Sequence, residues 1–257
     1  MVNNDHKQTS NPNGKIWEKE YNNPQLVSLS MEPQSSLKEF LRTLRRTYKF
    51  DIENMNVLDL GTGVGKNAIY LRELGAKKVI GIDISTKAIE IAVNRVKEIT
   101  KTKTESEALW AENISFLVGS IGKKFPCEDG SIDLILDITS SNSLSESERE
   151  IYLNECARVL TKDGLMFIRA LCKDGDSNAQ HLLKAFPGKE KDTYIMPQTG
   201  IIERVWSKAD FLEFYSKFFT VEYLDKETHY TTISDNNKNG DSRKYKRNFW
   251  IGYLKKK

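Results

Sequence analysis

Between Val57 and Lys66 a short apolar run is interrupted by three alternating glycines, Gly61, Gly63 and Gly65, and then gives way to a helical pattern from Asn67 to Leu74. Few architectures use such a junction. Glycine permits a tight turn and lets a ligand approach the backbone with no Cβ in the way. The helix that follows offers unpaired N–H groups and the positive end of its dipole. The segment therefore reads as a strand turning into a helix around a bound group, in preference to a plain connection.

The same alternation continues along the chain. Lys78–Ile82 is a second apolar run, and a helix beginning near Ser85 carries Ala88, Ala92, Val96 and Ile99 on one face. After a polar loop from Lys101 to Glu112, Ile114–Val118 and Ile132–Ile138 read as strands, with Pro126 and the Glu128-Asp129-Gly130 turn between them. Ser145 with Glu148 forms a capping box opening a helix with Tyr152, Cys156, Val159 and Leu160; Gly164 should break it before a strand at Leu165–Leu171. Upstream, Leu37, Phe40, Leu41, Leu44 and Tyr48 give a helix over Ser36–Tyr48. Strand and helix in steady alternation imply an α/β fold, a mostly parallel sheet wrapped by helices on both faces.

The organisation expected is a partly flexible N-terminal extension over residues 1–34 and a single domain over 35–257. Within it, residues 172–206 read as an irregular stretch long enough to form a substrate lid. Ser207 with Asp210 opens another capped helix, with Phe211, Leu212, Tyr215 and Phe218. Strands at Phe219–Leu224 and Phe249–Leu254 then suggest an antiparallel hairpin whose long tip holds Asn236, Asn237, Asn239 and Gly240.

Composition narrows the class. Of 257 residues, 39% are hydrophobic and 29% charged, which fits neither disorder nor a coiled coil. No apolar run reaches the roughly 18 residues of a membrane span, and the polar start carries no apolar signal core, so no membrane association and a cytoplasmic location are expected. A net charge of +3 does not demand nucleic acid as a partner. Cys127, Cys156 and Cys172 lack a CxxC pairing, which argues for reduced thiols and against a zinc site or any other metal.

Two cofactor classes suit the glycine segment. A dinucleotide site favours G-x-G-x-x-G with a pyrophosphate on the helix N-terminus. Here the third glycine comes one residue early, and Lys66 takes the pattern's last place. Asp59, just before the loop, would oppose a phosphate yet attract an amine. Asp83, ending the next strand, can accept hydrogen bonds from both hydroxyls of a ribose; alternatively it caps the helix near Ser85. Together these suggest an adenosine that carries an amino acid.

Asp59-Leu60-Gly61-Thr62-Gly63-Val64-Gly65 resembles the first motif of the class I S-adenosylmethionine-dependent methyltransferases, and Asp83 matches the acid ending that family's second strand. Phe125-Pro126 through Asp129-Gly130-Ser131-Ile132-Asp133-Leu134-Ile135 resembles the loop into strand four, and Arg158-Val159-Leu160 with Asp163-Gly164 the approach to strand five. The resemblance implies a Rossmann-like, seven-stranded sheet ordered three, two, one, four, five, seven, six, with the last strand antiparallel. It implies S-adenosyl-L-methionine as cofactor, with Gly61, Thr62, Gly63 and Gly65 along its methionine and ribose, Asp59 at the amino group, and Asp83 with Ile84 at the ribose. Where the family often has an acid beside adenine this chain has Ser120, followed by Ile121, which can pack on the ring. Asp137 and Ile138, closing strand four, fall where cofactor and acceptor meet, and Asp137 is the candidate general base.

Trp17-Glu18-Lys19-Glu20-Tyr21 resembles an aromatic pattern with which some relatives close over the cofactor; equally, Trp17 and Tyr21 can anchor an amphipathic helix. His181 and His229 are candidate bases or merely solvated side chains. Arg204 and Trp206, with His181, are candidate acceptor contacts, though Arg204 and Trp206 can equally tether a loop. Arg243–Arg247 and Lys255–Lys257 are basic, as nucleic-acid surfaces are, but Lys and Arg also protect an edge strand. The expected activity is methyl transfer to a small-molecule acceptor, with RNA or protein methylation, a non-catalytic cofactor-binding subunit, or a nicotinamide-dependent dehydrogenase as alternatives.

Overall fold

The computed structural model describes residues 12–24, 27, 29–101, 110–234 and 242–257. Helix α1 (Pro12–Asn22) precedes α2 (Ser35–Thr43), which runs on through a π-turn at Leu44–Tyr48. There follow β1 (Asn56–Leu60), α3 (Lys66–Glu73), β2 (Lys78–Asp83), α4 (Thr86–Lys101), β3 (Ile114–Val118), β4 (Ile132–Ile138), α5 (Glu146–Val159) and β5 (Leu160–Leu171). The chain continues through α6 (Ser177–Ala185), β6 (Thr193–Ile195), β7 (Ile202–Arg204), α7 (Lys208–Tyr215), β8 (Phe219–Ser234) and β9 (Ser242–Lys256).

Seven strands form one sheet in the order β3-β2-β1-β4-β5-β9-β8. The first five are mutually parallel, and β9 runs antiparallel to both β5 and β8. This is the order the sequence resemblance implied. Alternation along the strands builds two cores. Val57, Leu134, Leu136 and Phe167 pack on α2 and α3 through Leu37, Phe40, Ala68 and Leu71. Leu58, Ile135, Met166 and Ile168 point the other way, onto Tyr152 and Cys156 of α5 and Phe211 and Tyr215 of α7. With parallel strands covered on both faces, the open edge lies at their carboxyl ends, where ligands bind in such sheets.

Three expectations need correction. Helix α5 stops at Val159, because fully buried Leu160 turns extended (φ −67°, ψ 139°) and pairs with Ile132 of β4; β5 thus starts before Gly164. The stretch 172–206 is ordered where irregularity was expected. Asp176 caps α6 by accepting the Ala179 N–H at 2.8 Å, and β6 pairs with β7 as a small antiparallel sheet. The final hairpin is far longer than the two apolar runs, with register continuing from Phe219↔Lys256 to Ser234↔Ser242. Its expected tip, Asn236 to Gly240, and most of the loop from Lys101 to Glu112 lie outside the described residues.

Of the two expected capping boxes, that at Ser145 forms in full, whereas Ser207 accepts the Asp210 N–H at 3.1 Å and turns its hydroxyl to the Asp210 carboxylate at 2.6 Å, leaving the reciprocal backbone bond unmade. Ser145 Oγ accepts the Glu148 N–H while the Glu148 carboxylate accepts the Ser145 N–H at 2.9 Å. Ser145→Ala is expected to cost about 1 kcal/mol in denaturant unfolding; an unchanged midpoint would contradict the cap.

Candidate active site

The glycine loop sits at the carboxyl edge of β1, and all three glycines adopt left-handed backbone, Gly61 at φ 66°, Gly63 at 56° and Gly65 at 79°. Space is as restrictive as conformation. A Cβ on Gly63 would lie 2.7 Å from the Tyr21 hydroxyl, and one on Gly61 would strike the Ser140 side chain.

Beside the loop is a cavity of about 170 Å³. The glycine loop contributes Gly61, the end of β2 Asp83 and Ile84, and the turn after β3 Gly119, Ser120 and Ile121. Ile138, Thr139, Ser140 and Ser143 enter from the end of β4. Helix α1 covers it with Asn13, Trp17 and Tyr21. Polar ties fix that helix on both sides. Asn13 Nδ2 donates to the Ser143 carbonyl at 3.0 Å. The Glu18 carboxylate accepts from Ser85 Oγ at 2.7 Å and the Lys87 N–H at 3.2 Å.

Asp83 is 5% exposed and lines the cavity. Its Oδ2 accepts the Gly63 N–H at 2.8 Å and its Oδ1 the Ser85 N–H at 2.9 Å, and with a further backbone bond from Ile84 the carboxylate still has acceptor capacity for a ligand. The cap of α4 is a different group, Ser85 Oγ, which accepts the Ala88 N–H at 3.1 Å. Burial pushes the Asp83 carboxyl up to about 6, against the lowering effect of the N–H groups of Ser85 and Gly63.

Asp59 lies beneath the loop and away from the cavity wall. It accepts a 2.6 Å bond from Thr62 Oγ1 and one from the Ala68 N–H, tying β1 to the first turn of α3. Burial raises it to about 7. Thr62, Gly63 and Gly65 likewise shape the loop without lining the cavity.

Asp137 has no exposed surface. Its Oδ1 accepts the N–H groups of Ser140 (3.0 Å) and Ser141 (3.2 Å), and its Oδ2 the Tyr152 hydroxyl at 2.6 Å. The structure thus gives it the place of an anchor for the Ser140–Ser143 turn, with no oxygen directed to the cavity. His181 is exposed on α6. Arg204 is buried, donates to the Lys191 carbonyl at 2.7 Å and stacks on Trp206, whose ring lies in the core. None of these three reaches the cavity, nor does any residue of 172–206. Ser120 Oγ accepts the Gly122 N–H at 3.1 Å and keeps its own hydrogen to donate.

Sequence reasoning did not place Asn13, Thr139, Ser140, Ser143 or the capping-box residue Glu148 at the site, yet all five line the cavity. Thr139 holds φ 60°, a costly conformation for a β-branched residue. The only signal for this turn was its position directly after strand four.

A glycine loop at a β1–α3 junction, a carboxylate ending β2 and this strand order define an α/β fold that binds a nucleoside cofactor at its carboxyl edge. A family model described as a methyltransferase domain matches residues 51–209, and the chain belongs to that family, the class I S-adenosylmethionine-dependent methyltransferases. It is 33% identical over 122 residues to an uncharacterized methyltransferase of Schizosaccharomyces pombe, covering 48% of this chain and 75% of the relative. A SAM-dependent methyltransferase from Methanosarcina mazei superposes with a TM-score of 0.62 at 19% identity, over 88% of this chain and 98% of that one. Geranyl diphosphate C-methyltransferase from Streptomyces coelicolor, solved with S-adenosyl-L-homocysteine, gives 0.58 at 10% identity, over 87% and 77%.

The buried acids make a pH dependence. Raised carboxyl pKa values mean that the folded chain binds protons more tightly than the unfolded one, so these groups add stability to the ligand-free protein as pH falls through 7 toward 4. Ligand binding should respond oppositely. Asp83 accepts ribose hydroxyls when ionised, so S-adenosylhomocysteine affinity is expected to fall below pH 6, approaching about tenfold per unit. Calorimetry across pH 8 to 5 checks this, and a flat profile would contradict it.

Proposed function

We propose that this methyltransferase acts on a small-molecule acceptor, with the cofactor held between the glycine loop, Asp83 and the Ser120–Ile121 turn. The observation that carries this reading is helix α1, whose tie to Ser143 on one side and to Ser85 on the other encloses the cavity. An acceptor that must reach so covered a site is most simply a small one. A cytoplasmic location belongs to the same proposal, supported by the free thiols of Cys127, Cys156 and Cys172.

The residues fit S-adenosylmethionine by shape and by charge. The left-handed glycines keep the loop bare of side chains where Ser140 and Tyr21 pack against it, and Asp83 presents a carboxylate to the cavity beside them. Asp83 would take the ribose hydroxyls. Ser120 would donate to the adenine edge, with Ile84 and Ile121 against its faces. Trp17 and Tyr21 would close over the top, their rings favourable to a cation. Asp59 contributes indirectly by holding the loop.

Bound there, S-adenosylmethionine would supply an electrophilic methyl carbon, the acceptor's lone pair forming the new bond as the C–S electron pair returns to sulfur to leave a neutral thioether. The chain's own tasks are alignment and exclusion of water. The Ile138–Ser143 turn, fixed by Asp137, forms the wall against which the acceptor is aligned, and α1 shuts out solvent. Burial holds the Asp137 carboxyl above the usual carboxylate range, but its oxygens are committed to the turn and to Tyr152.

A second reading, methylation of a polymer such as RNA, rests on the β8–β9 arm, which extends past β5 and whose sequence includes the basic positions 243–247, although Arg247 itself donates to the Tyr194 hydroxyl at 2.8 Å. Incubation with methyl-labelled S-adenosylmethionine and cell extract separates the two. Enzyme-dependent label in the small-molecule fraction is expected; label confined to RNA or protein would overturn the small-molecule reading.

A further inference from the structure

Two cations, Lys66 and Arg169, stand at the carboxyl edge of the sheet behind the cavity wall, outside the cavity's own lining. By register, Asp59, Leu136, Ile138 and Arg169 share one face of neighbouring strands β1, β4 and β5. Ile138 lines the cavity, and the Thr139 N–H donates to the Arg169 carbonyl at 2.7 Å. Lys66 opens α3 on the same face, directly after the glycine loop.

Arg169 is held with care. Its guanidinium stacks on the Phe249 ring at 3.4 Å, and Nε donates to Glu227 at 2.9 Å. The residue is only 7% exposed, a setting in which a charge is normally fully paired. Yet Nη1 and Nη2 make no hydrogen bond among the described residues, and Glu227 is also in contact with His229 at 3.0 Å. Lys66 is half-buried and has no ion pair among the described residues. Burial and the positive charge of Arg169 lower its ammonium from the ordinary lysine range, partly offset by the Asp59 carboxylate.

Glu227 engages the guanidinium through Nε alone, so its terminal donors remain available to an anion. A guanidinium whose plane is fixed by stacking, with its two terminal nitrogens free, presents the fork that matches a carboxylate or phosphate. The ammonium opposite adds a point charge. We propose that Lys66 and Arg169 form an acceptor subsite for an anionic group, so that the molecule methylated carries a carboxylate or a phosphate. Phe249, beneath the guanidinium, holds its plane, and Glu227 restrains it through Nε alone. The proposal rests on the cofactor reading for the position of the acceptor, but its test is read separately.

Calorimetric titration of the protein with benzoate, phenyl phosphate and neutral benzamide, each with and without S-adenosylhomocysteine, tests this. At least one of the two anions is expected to bind ten times more tightly than benzamide, and which one does so tells carboxylate from phosphate. Arg169→Gln should abolish that preference, Lys66→Gln should weaken it at least fivefold, and Glu227→Gln, which removes the competing carboxylate charge, should strengthen it. Circular dichroism of each variant and its retained S-adenosylhomocysteine affinity verify the fold. Equal affinity for anions and benzamide, or a preference that survives in a folded Arg169→Gln protein, would overturn the proposal. If S-adenosylhomocysteine itself fails to bind, the cofactor reading fails, while the anion preference still stands or falls on its own titration.

Discussion

Asp83→Ala is expected to weaken S-adenosylhomocysteine binding by about 1–3 kcal/mol, roughly five- to 150-fold, the cost of leaving buried polar groups without an acceptor. The carboxylate touches both the protein and the cavity. It fixes the Gly63 and Ser85 N–H groups, and it lines the cavity where a ribose would lie. Because Ser85 Oγ already caps α4, the substitution should disturb the helix start little. Calorimetry with the ligand, paired with denaturant unfolding without it, separates the two roles. Unchanged affinity with lowered stability would reduce Asp83 to a structural element.

Asp137 is expected to behave in the opposite way. Asp137→Ala removes the acceptor for two backbone N–H groups and for the Tyr152 hydroxyl, all deep in the fold. At about 1–3 kcal/mol for each buried group left unsatisfied, before relaxation, a loss of about 3 kcal/mol in unfolding free energy is expected. Asp137→Asn keeps an oxygen for the turn and should restore most of that stability. It also tests chemistry. A general base contributes about 10²–10⁴-fold to rate, so an Asn variant that is stable yet slowed by that factor would make Asp137 the base. A stable variant with near-normal kcat would make it the anchor the geometry describes.

The fold was legible because its signals are local and repeated. The strands of the parallel sheet are short apolar runs bounded by glycine or capping residues, and the capping-box patterns at Ser145 and Ser207 opened helices where they stood. The long hairpin was not legible. Its outer pairs, such as Thr228↔Asn248 and Lys226↔Trp250, lack an apolar alternation and form because each strand supplies the other's hydrogen bonds. Strands β6 and β7, three residues each, are too short for periodicity to reveal, and α6 goes unread in the sequence although Asp176 caps it.

The site shows the same division. Gly61 and Asp83 were readable because backbone conformation and a terminal carboxylate leave residue-specific marks. Which acids face the cavity was not readable, since Asp59, Asp83 and Asp137 each close or interrupt an apolar strand and only three-dimensional packing sends two of them inward. The cover provided by α1 depends on Asn13 and Glu18 meeting partners at Ser143 and Ser85, contacts no local pattern encodes.

The central claim is that this glycine loop and Asp83 hold an adenosine bearing an amino acid, and not a dinucleotide. Calorimetric titration of the protein with S-adenosylhomocysteine and, separately, with NADH tests it most directly. The expected result is one S-adenosylhomocysteine bound per chain, weakened by Asp83→Ala, with no heat from NADH. Saturable NADH binding with S-adenosylhomocysteine ignored would contradict the account.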